Sequence, residues 1–367
     1  MRQGRTVFII EAAMVWAAQG AWHDNLQPSL DLRYRVEYTE NDTTTQQRDR
    51  IRIRLGVVAP VNDQVNLGVR VTTSESKGGE GNPLSHNQTL SNFGTKKALF
   101  LDLAYFDWKP EQFPGLQLTA GKMNQPFICV NDHLWDNDYT PEGVALQWES
   151  GDSWKVYANA ACTWLQERAN DDDSKLFGGQ IAVVSPLVDH VVFTLGVSVY
   201  RFTEVEGHPV FDWAKENRNL GNSVRTVVDP NATNVVYATD FLPLEGFGSL
   251  KFEWHWPVTI FGAWVQNPEA DEDNQGWTVG FRVGQLWKPG SVQFGYDYRR
   301  LERDVTVGAF TDADSFGGGT DGHSHRLALA VQVLKNFQMS AQYFIGERRL
   351  DDPKDYQRFQ FDVLAKF

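Results

Sequence analysis

From residue 30 onward the chain alternates apolar and polar side chains, segment after segment. Leu30, Leu32, Tyr34, Val36 and Tyr38 fall on one phase, and Asp31, Arg33, Arg35 and Glu37 on the other. Ile51, Ile53, Leu55 and Val57 oppose Arg50, Arg52 and Arg54, and Val65, Leu67, Val69 and Val71 oppose Asn66, Arg70 and Thr72. Leu327, Leu329, Val331 and Val333 oppose Arg326 and Gln332, and Phe337, Met339, Ala341, Tyr343 and Ile345 oppose Gln338, Ser340 and Gln342. The chain closes the same way. Phe359, Phe361, Val363, Ala365 and Phe367 interleave with Arg358, Gln360, Asp362 and Lys366, with Leu364 as the one exception. A period of two is that of a β-strand. A strand with one greasy and one charged face suits a wall between lipid and water. A one-residue slip would turn the arginines into hydrocarbon, so each register is strongly fixed.

Two kinds of connection alternate between these segments. Short turns rich in Pro, Gly, Asn and Asp are expected at 59–63, 109–115, 150–153, 185–189, 255–257, 286–290 and 335–336. Long polar loops are expected near 40–48, 75–97, 123–142, 166–175, 202–233, 267–275, 304–323 and 349–355. The two sets interleave without a break, so seven turns and eight loops join sixteen strands. The pattern predicts an all-β fold: a transmembrane antiparallel up-and-down β-barrel over 29–367, with short periplasmic turns and long extracellular loops. An even strand count puts both ends of the barrel on the periplasmic side. The weakest segment is 234–254, where alternation breaks at Leu242-Pro243-Leu244-Glu245-Gly246; it reads as one long strand with a bulge. Tyr38, Trp108, Trp154, Trp164, Trp254, Trp256, Trp277 and Trp287 gather at predicted strand ends, as interfacial aromatic belts would.

Mean hydropathy is mildly polar (-0.41), and no apolar run after the first two dozen residues is long enough for a membrane helix. That excludes a helical membrane protein but not a barrel, in which only alternate residues meet lipid. The first twenty residues read as an export signal. Arg2 and Arg5 precede an apolar stretch from Val7 to Ala18, interrupted by Glu11, and Ala18-Gln19-Gly20 offers small residues for cleavage. An exported chain could keep a disulfide. Cys162 falls on the lipid-facing phase of its strand and Cys129 in a long loop, so pairing is not expected. No Cys/His spacing resembles a zinc site.

Several segments carry a family likeness: Ala104 to Pro110 (AYFDWKP), Gly121-Lys122-Met123 with Pro126-Phe127, Asp136 to Gln147 (DNDYTPEGVALQ) and Phe310 to Gly322 (FTDADSFGGGTDG). In this order and spacing, with the arginine-rich opening strands, the chain after residue 28 resembles the putative-porin family of Gram-negative bacteria. The terminal Phe367 resembles the insertion signal of outer-membrane barrels. The resemblance implies an outer-membrane protein forming a passive, water-filled channel for small hydrophilic solutes or ions. Its partners would be outer-membrane lipid and lipopolysaccharide and the barrel-assembly machinery. No cofactor or nucleic acid is expected. A homotrimer is common for sixteen strands, but no interface signature requires it.

A channel needs a lumen, a constriction and a field across it. Arg33, Arg35, Arg50, Arg52, Arg54 and Arg70 point to one side of three neighbouring strands, and closure of the barrel adds Arg358 and Lys366. So many like charges argue for water around them. The loop 123–142 is the candidate constriction, with Asp132, Asp136, Asp138 and Glu142 as an opposing acidic surface. Pro126, Phe127, Ile128, Val130, Leu134 and Trp135 are too apolar for a free loop, so it is expected to fold inward. The net charge of -13 collects in outer loops such as 171–173, 269–273 and 351–352, and predicts little about the lumen. Asp312, Asp314, Asp321, His323 and His325 with Gly317-Gly318-Gly319 lack the spacing of an EF-hand and read as a glycine-rich outer loop. Two other readings compete. A barrel enzyme of lipase or protease type would need a nucleophile signature beside an outer-loop histidine such as His86 or His323, and none is present. A plugged structural or adhesive barrel would need the loop 202–233 as its plug.

Overall fold

The computed structural model describes residues 25–91, 93–216, 218–228 and 233–367. The expected export signal, residues 1–20, lies outside the described residues. Sixteen antiparallel strands close into one barrel. They are β1 (Gln27–Asn41), β2 (Thr44–Pro60), β3 (Val65–Thr73), β4 (Leu99–Trp108), β5 (Leu116–Lys122), β6 (Glu142–Ser150), β7 (Lys155–Gln166) and β8 (Ser174–Val188). The second half holds β9 (Val191–Thr203), β10 (Leu244–Phe252), β11 (Val258–Gln266), β12 (Gln275–Gly284), β13 (Val292–Leu301), β14 (Gly322–Leu334), β15 (Phe337–Arg348) and β16 (Lys354–Lys366). Each strand pairs with its neighbours in sequence, and β16 pairs back onto β1, with Arg35 opposite Asp362. The seam is finished by the last residue: Phe367 N–H donates to Leu30 O at 2.8 Å, and Leu30 N–H donates to Phe367 O at 3.2 Å. Closure leaves no unpaired edge in hydrocarbon, the condition for a sheet to span a membrane.

The expected phases hold. Leu32, Tyr34 and Tyr38 are exposed on the outside while Asp31, Arg35 and Glu37 are buried inside. The eight belt aromatics are all exposed. Trp108, Trp154, Trp254, Trp256 and Trp287 stand at the turn end, and Tyr38, Trp164 and Trp277 at the loop end, giving two girdles.

Two expectations about connections fail. The segment 40–48 is not a loop: β1 and β2 run on to a turn of Asp42 and Thr43. Asn41 makes it possible, its side-chain oxygen accepting from the Thr43 and Thr44 N–H groups at 3.0 Å each. The segment 234–254 is not one bulged strand. Thr233–Tyr237 pairs with Val224–Val228 in a hairpin outside the barrel sheet, and the barrel strand begins at Leu244. Pro243 marks the break, and parity survives because the hairpin belongs to the loop 204–243.

Candidate functional site

The connection between β5 and β6 crosses the barrel interior. Its ends are tied by Met123 N–H donating to Pro141 O at 2.9 Å. Phe127, Leu134, Trp135 and Tyr139 are buried, so the apolar content of this loop does fold inward. Phe127 seats on β8 where Gly178 leaves room: a Cβ there would stand 2.3 Å from the ring. The next residues bond to the wall, as buried backbone must. Ile128 N–H donates to Gln180 Oε1 at 2.8 Å, and Gln180 Nε2 donates back to Ile128 O at 3.0 Å. Asn131 donates to Thr278 Oγ1 on β12 at 2.6 Å, and Asp132 receives Arg299 of β13 at 2.5 Å and Arg326 of β14 at 2.7 Å. The loop therefore spans the barrel from β8 to β14.

Its four carboxylates are not a free acidic surface. Burial disfavours the Asp132 charge, but Arg326 and Arg299 more than offset this and hold its pKa below the ordinary range. Asp138 is held low in the same way, against burial, chiefly by His86, with Arg52 and Arg33 adding to it. Among the described residues Asp136 has no ion-pair partner within 4 Å; burial first, then Asp138 and Asp312, push its pKa well above the usual range. Its oxygens accept from the N–H groups of Asp138 and Ala313 at 2.8 Å each. Glu142 starts β6 at the rim, where it meets Lys122 at 2.9 Å.

The arginine wall lies where the alternation put it, but much of its charge is compensated. Arg35 makes a bidentate pair with Asp362 at 2.7 and 2.8 Å, and Arg52 one with Asp31 at 2.8 and 2.9 Å. Arg54 joins Asp31 at 3.0 Å, Arg70 pairs with Asp102, and Arg358 reaches Asp314 at 2.5 Å. Lys366 stands exposed at the turn end of the barrel, opposite Asp31 on β1. Mutual repulsion therefore does not by itself require a wet wall, because Asp31, Glu37 and Asp362 share the arginine face. The charges least compensated are Arg33 and Arg50. Arg33 hydrogen-bonds to the neutral Asn87 at 2.7 Å, and Arg50 stands 3.5 Å from Glu37 and 4.0 Å from Glu75.

Sequence reasoning missed three parts of this site. The segment 302–321 is not an outer loop: Val305, Val307, Phe310 and Phe316 are buried, Phe310 lies 6.0 Å from the Trp135 ring, and Asp312 meets Arg299 at 3.0 Å. His86 is likewise buried inside rather than out in a loop, with Nε2 3.0 Å from Asp102 and Nδ1 3.2 Å from Asp138. Burial works against its charge, but Asp102 and Asp138 raise its pKa above the usual value. Third, the loop 204–243 packs Val205, Val210, Tyr237 and Phe241 into the same aromatic cluster as Trp135 and Phe310. Apolar residues at irregular spacing within these loops were the only available signal. Beside the cluster a cavity of about 1140 Å³ remains, lined on one side by the arginine wall and on the other by loop residues. Cys129 and Cys162 are both free.

The chain matches the model of a family described as "Putative porin" over residues 26–239 and 227–367. No curated protein matches it. Among solved structures it is similar to Pseudomonas putida OprB, with 10% identity, a TM-score of 0.61, and 94% of this chain and 95% of that chain covered. It is similar to Salmonella typhi OmpF at 8% identity and a TM-score of 0.57, over 95% and 99% of the two chains. Vibrio cholerae OmpT in its trimer form matches at 12% identity and a TM-score of 0.53, over 93% and 99%. These likenesses concern the fold.

Proposed function

The chain belongs to the putative-porin family and is an outer-membrane porin, and we propose that loop 123–141 is its constriction and the face of Arg33, Arg35, Arg50, Arg52, Arg54, Arg70 and Arg358 its basic pore wall. One observation carries this reading: the loop docks on β8, β12, β13 and β14 from the inside, leaving a cavity between itself and the arginine face. Asp132, Asp138 and Glu142 act as anchors of the loop, each bound to a cation, and Asp136 is pushed toward its neutral form. The field at the narrow zone is therefore set by cations on one side more than by carboxylates on the other, and small anions pass more readily than cations. We read the chain as a channel rather than an enzyme, since diffusion needs no catalyst. Lipid and lipopolysaccharide surround the barrel, and Phe367, its side chain 72% exposed at the seam, is the residue the assembly machinery would read. A homotrimer is the assembly we favour; the trimer form of Vibrio cholerae OmpT shows that a barrel of this fold can associate so.

The test is ion selectivity. Replacing Arg50, Arg52 and Arg54 with Gln shifts the reversal potential in a salt gradient toward cations. An unshifted potential would place these guanidiniums off the permeation path.

A further inference from the structure

Among the described residues three arginines of the wall, Arg33, Arg50 and Arg358, have an Nε without a partner; Arg358 is bound to Asp314 and Ala313 O, whereas Arg33 and Arg50 have no carboxylate of their own. Arg50 is 7% exposed, lines the cavity, and has an Nε without a partner. Glu37, at 3.5 Å, is shared with Arg48 and lies 3.9 Å from Arg35. Arg33 sits diagonally across the β1–β2 ladder, since Arg33 faces Arg52 and Arg35 faces Arg50. Its Nε is also unpartnered, and the nearby Asp362, at 3.7 Å, already gives both oxygens to Arg35. Buried guanidinium groups normally use most of their donors. Arg33 has its one hydrogen bond to the neutral Asn87 and Arg50 has only the longer contacts to Glu37 and Glu75, so side by side on one cavity wall they describe a site waiting for an acceptor.

The far side of the same cavity is not polar throughout. Leu84, Tyr139, Phe211 and Trp213 line it. On the arginine side Glu75, 4.0 Å from Arg50, and Asp314, 3.6 Å from Arg35, also line the cavity, and would repel a doubly charged guest more than a singly charged one. We propose that the outer vestibule holds a binding subsite for small organic monocarboxylates, in which Arg33 and Arg50 take the carboxylate and the aromatic side takes the apolar body. The planar guanidinium fork matches a carboxylate in two parallel hydrogen bonds, and the cavity has the volume of a small-molecule pocket. Such a subsite concentrates one class of solute at the entrance of the constriction. It rests on the reading of the chain as a channel.

The experiment uses the full chain in planar bilayers, with benzoate added on the loop side. Benzoate should interrupt the ionic current in a concentration-dependent way, and benzamide, its neutral analogue, should not. Charge-assisted hydrogen bonds of this kind make each arginine worth about tenfold in blocking affinity, so Arg33→Gln and Arg50→Gln should each weaken the block by about that factor. Current through a variant itself reports a folded, inserted barrel. If a Gln variant fails to insert, Arg50→Lys keeps the charge without the fork and should still weaken the block. Equal block in wild type and in variants overturns the subsite, as does block by inorganic phosphate at concentrations as low as benzoate needs. Steady current with no benzoate block sinks the subsite alone, whereas absence of any current sinks the channel reading beneath it.

Discussion

Removing the carboxylate of Asp132 should unlatch the constriction. Asp132 serves two guanidiniums at once, Arg299 at 2.5 Å and Arg326 at 2.7 Å, and Arg299 is only 1% exposed. Deleting one partner of a buried ion pair typically costs about 3–5 kcal/mol, because the remaining charge is left without its counterion. Here Asp297 still reaches Arg326 at 2.7 Å and Arg299 at 3.2 Å, and Asp312 still reaches Arg299 at 3.0 Å. The loss in Asp132→Ala should therefore sit near the lower limit, about 3 kcal/mol, which is roughly a hundredfold shift toward the undocked loop. Phe127 on Gly178, the two bonds to Gln180 and the bond from Asn131 to Thr278 still hold the beginning of the loop, so the stretch after it, around 132–136, is what moves. Single-channel recording should show larger or more variable steps than wild type. The reversal potential should move toward anions, since two cations lose a shared counterion. Asp132→Asn keeps an acceptor and should show about half the effect. Steps of wild-type size and steadiness in an inserted Asp132→Ala barrel would mean that the loop is not held by this latch, and the reasoning from buried pairs would fail.

Other outcomes follow from the same geometry. Deleting Pro126 to Tyr139 should raise conductance beyond Asp132→Ala, and unchanged conductance would mean that the loop never limits flow. His86 gains affinity for its proton from Asp102 and Asp138, so the bridge it makes is complete below its unfolded value near 6.5 and is lost as pH rises through the raised one. Current noise should accordingly grow on the alkaline side in wild type, and His86→Gln should remove that dependence; identical pH profiles would acquit the histidine. Gly178→Val should push Phe127 off β8 and alter conductance without unfolding the barrel, which heat-dependent gel migration can check. Removing Phe367 should impair assembly in cells more than refolding in detergent, and equal loss in both would assign it a role in stability instead.

The barrel was legible because lipid imposes a strict period of two on every strand. Arg50, Arg52 and Arg54 could point only one way once Ile51, Ile53 and Leu55 faced hydrocarbon. The same rule misled at Thr233–Tyr237, whose Val235 and Tyr237 alternate like a wall strand although the segment pairs with Val224–Val228 outside the barrel. Period alone does not say which partner a strand finds. The charge state of the wall was hidden for a related reason. Asp31, Glu37 and Asp362 were visible on the inner phase, but the Arg35–Asp362 pair joins residues 327 apart and depends on the register of closure. The inward fold of 123–141 could be read from its apolar residues. That of 302–321 could not, because Gly317-Gly318-Gly319 and its aspartates look like solvated loop, and one of their partners, Arg358, is 44 residues away while the other, Arg299, sits on the preceding strand with nothing in the sequence to show that the segment turns back onto it.

The account rests on a conducting lumen whose narrow zone leans positive. Reconstituting the unmodified chain in a planar bilayer under a potassium chloride gradient tests both at once. Steady ohmic steps with a reversal potential on the chloride side are the expected result. A silent bilayer containing folded protein, or steps that reverse on the potassium side, would contradict it.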